Sequence, residues 1–441
     1  MARLLFIENR EKTFLWAGVA RILAQEGHEV AWLVQNPLFA RNLPGRVHRI
    51  PFPKRRDLEG PIDLADFPAL ATDRGREHFG AGQSHYAYYA ARIAAIVEFE
   101  QPAMVIGEPT LFHELLAMDL CARAEIPFAH PVGERYPPDR FAIFDGASQR
   151  PMVTSGETMD AAAAHDMAAR IADGRAIPTY MAQGGTFDVM RDRLRRRVTR
   201  GRVVAGRWLG ERYNTPSIRR KLALNRAARA NLDRWRGAAS LPAIPDRTIL
   251  YPLQMQPENT IDVWGRPDWD QVAIVRRLLA ATPADVGIAV KSNPKPYYEM
   301  SQAMLDLCVA NPRVHLLPLD TPMTEALAAT TGTVTVTGTV GYEAVCGRGR
   351  CLSTAHPVLD DLFPEFTAPT IESAAQRLLD DPTAGLGSPE LGSRLMQALT
   401  ARSFSGIVSD PVSDPRCTRA GNVAQIAAAV RLAIDNAQRP H

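Results

Sequence analysis

The sequence predicts an α/β protein of two Rossmann-like domains with a helical middle segment. Three observations carry that reading. Residues 1–145 and 246–366 each alternate short apolar runs with helix-patterned stretches, as parallel sheets with crossover helices require. Residues 158–239 lack strand signals and are rich in Ala and Arg. A chain of 441 residues also exceeds what one ordinary core holds.

In the first half, residues 4–7 form a buried strand that stops at Glu8. Residues 14–26 carry helical apolar spacing through Phe14, Val19, Ile22 and Leu23, with Gly27 as the stop. Residues 28–34 read as the next strand, which completes a βαβ unit. A second run follows: a helix at 85–98, a strand at 103–106, a helix at 111–124 and a strand at 127–130. Pro242 and Pro245 mark a boundary before the second half. There the predicted strands are 248–251, 286–290, 314–317, 333–337 and 350–353. Helices at 269–281, 297–309, 322–329 and 340–346 alternate with them, the third capped by Asp320 or Thr321. The predicted domains are 1–157, a helical insertion at 158–245, 246–370, and a helical segment at 371–441 that returns to the first domain.

Composition sets the class. Hydrophobic residues make up 46% and charged residues 22%, as in a water-soluble globular protein. No apolar run approaches the roughly 20 residues that span a bilayer. The start lacks a signal peptide's apolar core, so a cytoplasmic location is expected. Cys121, Cys308, Cys346, Cys351 and Cys417 are odd in number and not in metal-ligand spacing, so reduced thiols are expected and no metal site. The net charge is only +3, yet residues 191–236 hold 16 Lys and Arg against 3 Asp and Glu. That segment suits an anionic membrane surface on the inner face, or is a solvated helical surface. No nucleic-acid-binding motif accompanies it, so no nucleic acid is expected.

Ligands on doubly wound sheets bind beyond the carboxyl ends of the strands. That rule nominates three loops in the second half. In 337–343, Gly338 and Gly341 permit close backbone approach, and Thr337 and Thr339 add hydroxyls at a helix start that favours phosphate. Glu343 is placed to accept from ribose hydroxyls, or to complement the helix dipole. In 253–260, Gln254, Gln256 and Glu258 alternate with apolar residues and suit sugar hydroxyls or a base edge, or form a solvated loop. In 291–296, Lys291 ends a strand and suits a phosphate, or is an ordinary surface lysine. In the first half, Glu108 and Glu134 follow strands and are the candidate catalytic carboxylates, Glu134 first. His113 and Asp139 are weaker candidates.

These motifs resemble the bacterial capsule polysaccharide synthesis family, surface-carbohydrate glycosyltransferases of GT-B architecture that include β-Kdo transferases. Tyr251-Pro252-Leu253-Gln254-Met255-Gln256-Pro257-Glu258 is similar to that family's Pro-Leu-(His/Gln)-x-Gln-Pro-Glu strand end. The stretch from Thr337 to Ala344 is similar to its Thr-Gly-Thr-x-Gly-x-Glu-Ala donor loop. Around Glu134, only the Glu, Tyr136 and Pro137 elements of its Glu-Gly-Tyr-x-Arg-Pro segment are kept. Where the family has Lys-x-His-Pro, this chain reads Lys291-Ser292-Asn293-Pro294. Asn293 donates a hydrogen bond but carries no proton or charge.

The resemblance implies two domains facing a cleft and transfer of a sugar, a CMP-activated acidic sugar being one donor class. The implied partners are a nucleotide-sugar donor and a glycan or lipid-linked glycan acceptor, with no cofactor. Asn293 and Lys291 would then lie at the leaving phosphate. Two alternatives stand beside this expectation: a nucleotide-sugar epimerase of the same fold, and a degenerate member that binds glycan or a partner without turnover.

Overall fold

The computed structural model describes residues 1–58, 62–176, 188–239, 244–293 and 298–438. Its strands are β1 (Arg3–Ile7), β2 (Glu29–Val34), β3 (Arg46–Arg49), β4 (Met104–Ile106), β5 (Phe128–Gly133) and β6 (Arg140–Asp145). They continue with β7 (Thr248–Pro252), β8 (Gly287–Lys291), β9 (Val314–Leu316), β10 (Gly332–Thr335), β11 (Cys351–Ser353) and β12 (Phe404–Ser405). The chain divides into two compact units. One comprises Met1–Thr158, Pro178–Ser217 and Leu399–His441; the other comprises Met159–Ile177 and Ile218–Ala398. Both units are α/β folds built on sheets with parallel strands, and helices occupy the middle of the sequence. The helical middle is divided: the Asp188–Leu209 helix joins the first unit, and the Ala161–Ala172 and Ile218–Ala238 helices join the second.

The first unit is a seven-stranded sheet in the order β12-β6-β5-β4-β1-β2-β3. Strands β3, β2, β1, β4 and β5 run parallel, and β6 and β12 are antiparallel additions at one edge. Strand β1 is buried on both faces, as a central parallel strand must be. Leu4 and Phe6 join a cluster with Trp16, Val19, Trp32 and Val430. Leu5 and Ile7 join the opposite one with Tyr86, Tyr89, Ile93 and Leu115. The helices Thr13–Gln25 and Ala420–Ala437 supply the first layer; Tyr86–Glu100 and Phe112–Arg123 supply the second.

The second unit is a five-stranded, wholly parallel sheet in the order β11-β10-β7-β8-β9. The Gln271–Ala281 and Ile371–Asp380 helices contribute Ile274, Val275, Leu278, Ile371, Ala374 and Leu378 to its core. Trp235, wholly buried, donates from Nε1 to the Leu317 carbonyl at 2.9 Å and pins the end of the Ile218–Ala238 helix. All five cysteines are free and buried.

Several predicted elements move. The strand expected at 333–337 ends at Thr335, because Val336 and Thr337 turn into the following loop. The helix expected from 297 is Gln302–Ala310, capped by Ser301, whose Oγ accepts from the Met304 N–H. Pro322, not Asp320 or Thr321, is the N-cap residue of the Met323–Ala328 helix. Strands β3, β6 and β12 were not expected. Strand β3 is an exposed edge of charged residues, with no apolar alternation to reveal it.

Candidate functional site

In the second unit the chain runs from β7 to β8 and β9 on one side, then crosses to β10 and β11 on the other. The topological switch therefore lies between β7 and β10, where the loops beyond both strands leave in opposite directions. Those loops are joined by side chains. Thr337 Oγ1 lies 2.7 Å from Gln254 Oε1 and 2.7 Å from the Thr260 carbonyl. A hydroxyl gives one proton, so both contacts are satisfied when the amide presents its NH2 group to Thr337. Whichever way it is turned, one polar end of the buried Gln254 side chain has no partner among the described residues.

Gln256 and Glu258 do not share the role of Gln254. Gln256 Nε2 donates to Asp262 Oδ1 at 2.7 Å and to the Trp269 carbonyl at 3.1 Å, and its Oε1 accepts from Gln271 Nε2. Every polar atom of that amide is committed to the loop itself. The Glu258 N–H donates to Asp262 Oδ2, and its carboxylate accepts from Thr260 Oγ1.

On the other side of β7, Pro252 pairs with Lys291 at the end of β8. Lys291 is only 4% exposed. Its ammonium has no carboxylate within ion-pair distance among the described residues; its hydrogen bond is to the Ser292 carbonyl at 3.4 Å. Burial lowers its pKa below the ordinary lysine value. Beside it, the buried Ser292 Oγ has no partner among the described residues. Asn293 follows, half-buried, and positions 294–296 of the predicted loop lie outside the described residues.

The glycines of the 337–343 loop are packing residues. A Cβ on Gly338 would fall 2.4 Å from Thr335 Oγ1, and one on Gly341 would fall 3.2 Å from Leu359. Thr339 is the N-cap residue of the short Val340–Val345 helix. Glu343 pairs with Arg348 at 2.8 Å, and burial raises its carboxyl pKa.

The first unit places a glutamate beyond each of three adjacent parallel strands: Glu8 after β1, Glu108 after β4 and Glu134 after β5. Glu8, 2% exposed, accepts from the N–H groups of Arg10, Gln35 and Asn36. Burial, with Glu211 nearby, pushes its carboxyl up to about 7. Glu108 binds Lys12 Nζ at 2.5 Å. Asn9 Nδ2 lies between Glu108 and Glu114, at 3.3 and 3.0 Å. Glu114, wholly buried, also accepts from Thr110 Oγ1 and from the N–H groups of Glu108 and Leu111. Burial, then the charge of Glu108, pushes its carboxyl up to about 8.

Glu134 differs from these. It is half-buried and makes no side-chain hydrogen bond among the described residues, while its N–H donates to the Arg140 carbonyl. Burial pushes its carboxyl up to about 7 against the opposing charges of Arg135, Arg402 and Arg140.

Arg10 stands at φ +46°, a left-handed conformation uncommon for a non-glycine residue. It pairs with Glu211, whose other oxygen accepts from Asn36 Nδ2 at 2.8 Å. His113 is a structural histidine: its Nε2 donates to the Glu8 carbonyl and its Nδ1 accepts from Asn214. Burial lowers its pKa to about 4, so it is neutral. Asp139 forms a two-pronged pair with Arg416.

Sequence reasoning named Glu108 and Glu134 but missed Glu8, Arg10, Lys12, Glu114 and Glu211. Glu8 obeys the same strand-end rule that found the other two.

No protein-family model and no curated protein matches the chain. Solved structures align with the chain at low similarity. A putative UDP-N-acetylglucosamine 2-epimerase from Listeria monocytogenes is 12% identical with a TM-score of 0.29, covering 100% of this chain and 98% of that one. The UDP-GlcNAc 2-epimerase of Neisseria meningitidis, bound to UDP-GlcNAc, is 12% identical with a TM-score of 0.28, covering 90% and 98%. The calicheamicin glycosyltransferase CalG4 is 12% identical with a TM-score of 0.25, covering 100% of both chains.

These findings correct two expectations. The chain is not assigned to the capsule polysaccharide synthesis family: no family model and no curated protein matches it. Sugar transfer to a surface glycan falls with it. The physical reason lies in the motifs. Gln256 ties its own loop together, and Gly338 and Gly341 fill tight packing positions. These three of the residues that carried the resemblance build the loops of the fold, so they report architecture rather than reaction.

Proposed function

We propose that the chain is an enzyme that acts on a nucleotide sugar and inverts a carbon of the sugar while it remains the nucleotide's own, as a nucleotide-sugar epimerase does. One observation carries the reading: Glu134 is half-buried, makes no side-chain hydrogen bond among the described residues and is pushed up to about 7. Epimerisation takes a proton from a stereocentre and returns one on the opposite face. A carboxyl that titrates near neutrality serves either direction of transfer. Glu8, pushed up to about 7 beyond β1, supplies a further carboxyl group for the second proton.

The second unit is assigned the nucleotide. Among the described residues, Lys291 brings a buried ammonium without a carboxylate partner, and Ser292 and Gln254 bring polar atoms without partners. Such a corner at a strand end suits a diphosphate, with Asn293 next in the chain. The test is incubation with UDP-, GDP- and CMP-sugars in deuterated water without any acceptor, followed by NMR. The expected result is an epimer carrying deuterium at the inverted carbon, lost in E134Q. Nucleotide binding with no epimer and no deuterium from any sugar would replace this reading with a binding function.

The Asp188–Leu209 helix supports a peripheral lipid contact. No helix among the described residues is long and apolar enough to cross a membrane. Yet Val198, Val204 and Trp208 are exposed on it beside the exposed Arg197 and Arg200, and Trp208 is 70% exposed. Apolar and aromatic side chains among arginines suit an anionic bilayer surface.

A further inference from the structure

The buried charges of the first unit are almost all matched. Glu211 holds Arg10 and Asn36, Glu108 holds Lys12 and Asn9, and Glu114 and Glu8 each accept at least three hydrogen bonds. Among the described residues, Arg74 is an unmatched cation of this unit, as Glu134 is an unmatched carboxyl. Its Nε is buried with no hydrogen-bond partner, and no carboxylate lies within ion-pair distance of its guanidinium among the described residues.

Arg74 belongs to the same cluster. The short helix Arg74–Glu77 is anchored by Asp73, which accepts from Tyr86 Oη at 2.6 Å and from the Gly75 N–H. Gly75 sits so close to the backbone of Tyr213 that a Cβ there would meet its carbonyl at 3.0 Å. Tyr213 is flanked by Arg212 and by Asn214, the latter bonded to His113 and Gln35. The guanidinium feels Arg10 as a like charge and Glu114 and Glu211 as opposite ones, and burial with Arg10 lowers its pKa to about 10. A planar cation held among committed partners, with a donor facing no acceptor, is costly unless an anion arrives.

We propose that Arg74 is the receptor for an oxyanion of the ligand, held through the guanidinium fork and its Nε–H. Resting on the nucleotide-sugar reading, with the nucleotide itself held by the second unit, the oxyanion comes from one of two sources: a phosphate group carried by the sugar, or the carboxylate of an acidic sugar. Both offer oxygens spaced for the two-pronged arginine geometry.

The experiment reads the Arg74 side chain itself. In full-length protein, the 1H–15N signal of the Arg74 Nε–H is identified by its loss in R74K. It is then followed during titration with inorganic pyrophosphate, with glucuronate and with glucose. The expected result is a saturable shift with pyrophosphate (the phosphate source) or with glucuronate (the carboxylate source), and none with glucose. R74Q weakens binding of the effective anion by about ten-fold or more, and R74K restores part of it. An Nε–H signal unmoved by both anions overturns the proposal, as does equal affinity in R74Q. Because the probes contain no nucleotide, a positive titration stands even if no nucleotide sugar is turned over. A failed titration likewise leaves the epimerase test untouched.

Discussion

Thr337 and Gln254 meet across the switch between β10 and β7, with 2.7 Å from Oγ1 to the amide oxygen position. The same hydroxyl reaches the Thr260 carbonyl. T337V keeps the shape and removes the hydroxyl, so two buried polar groups lose a partner at once. The expected cost is about 1–3 kcal/mol in urea unfolding. Nucleotide affinity should fall as well, because the Gln254 amide is no longer held. Unchanged stability would show that the bond contributes nothing to the loop.

Lys291 offers a test with opposite signs. Its ammonium is buried without a carboxylate partner among the described residues. K291M should leave the protein as stable as the parent or more stable, since a desolvated charge is replaced by an apolar chain of similar length. Affinity for a nucleoside diphosphate should drop about ten-fold or more. Because burial lowers the lysine's pKa, the parent should gain stability as pH rises through the folded value, and K291M should lose that gain. Calorimetry and thermal unfolding check the three outcomes.

The first unit should respond to pH the other way. Glu8 and Glu114 are raised from 4.5 to about 7 and about 8. Between 4.5 and those values the folded protein binds more protons than the unfolded chain. Stability from these groups is therefore present in mild acid and lost as pH rises towards 8. The slope reaches at most about 1.4 kcal/mol per pH unit for each group. E114Q should flatten the decline between pH 5 and 8 in urea unfolding.

Arg140 fastens the C-terminal return to β6. It donates to Ser403 Oγ, Ser405 Oγ and the Thr400 carbonyl at 2.9–3.0 Å, and pairs with Glu157. R140A should cost about 3 kcal/mol or more of stability, because several buried acceptors lose their donor together. Release of the last helix to a protease under native conditions would accompany it.

The lipid contact predicts salt-sensitive binding to vesicles rich in phosphatidylserine, weakened by W208A and by R200Q. Equal binding to neutral and anionic vesicles would rule it out.

The two sheets were legible because parallel strands buried on both faces leave continuous apolar runs, as in 4–7 and 286–290. Glu108, Glu134 and Lys291 were legible for a related reason: each stands where such a run ends. Glu8 stood there too, but served only to mark the end of its strand. Glu211 and Asn214 were beyond reach. They come from the helical middle, and Glu211 meets Arg10 across 201 positions of sequence. The family motifs misled because hydrogen bonding internal to a loop leaves the same sequence trace as ligand binding.

The Ala420–Ala437 helix packs against the Thr13–Gln25 helix, so residues from both ends of the chain share one core. A polypeptide leaves the ribosome in order, amino end first. The opening sheet must therefore wait, with Trp16, Val19 and Leu23 uncovered, until residues 420–437 emerge. The second unit draws on no residue after Ala398 and is free to close earlier. The later-made helix thus completes the earlier-made sheet, and the carboxylate cluster forms on a sheet whose covering layer arrives after the second unit has been made.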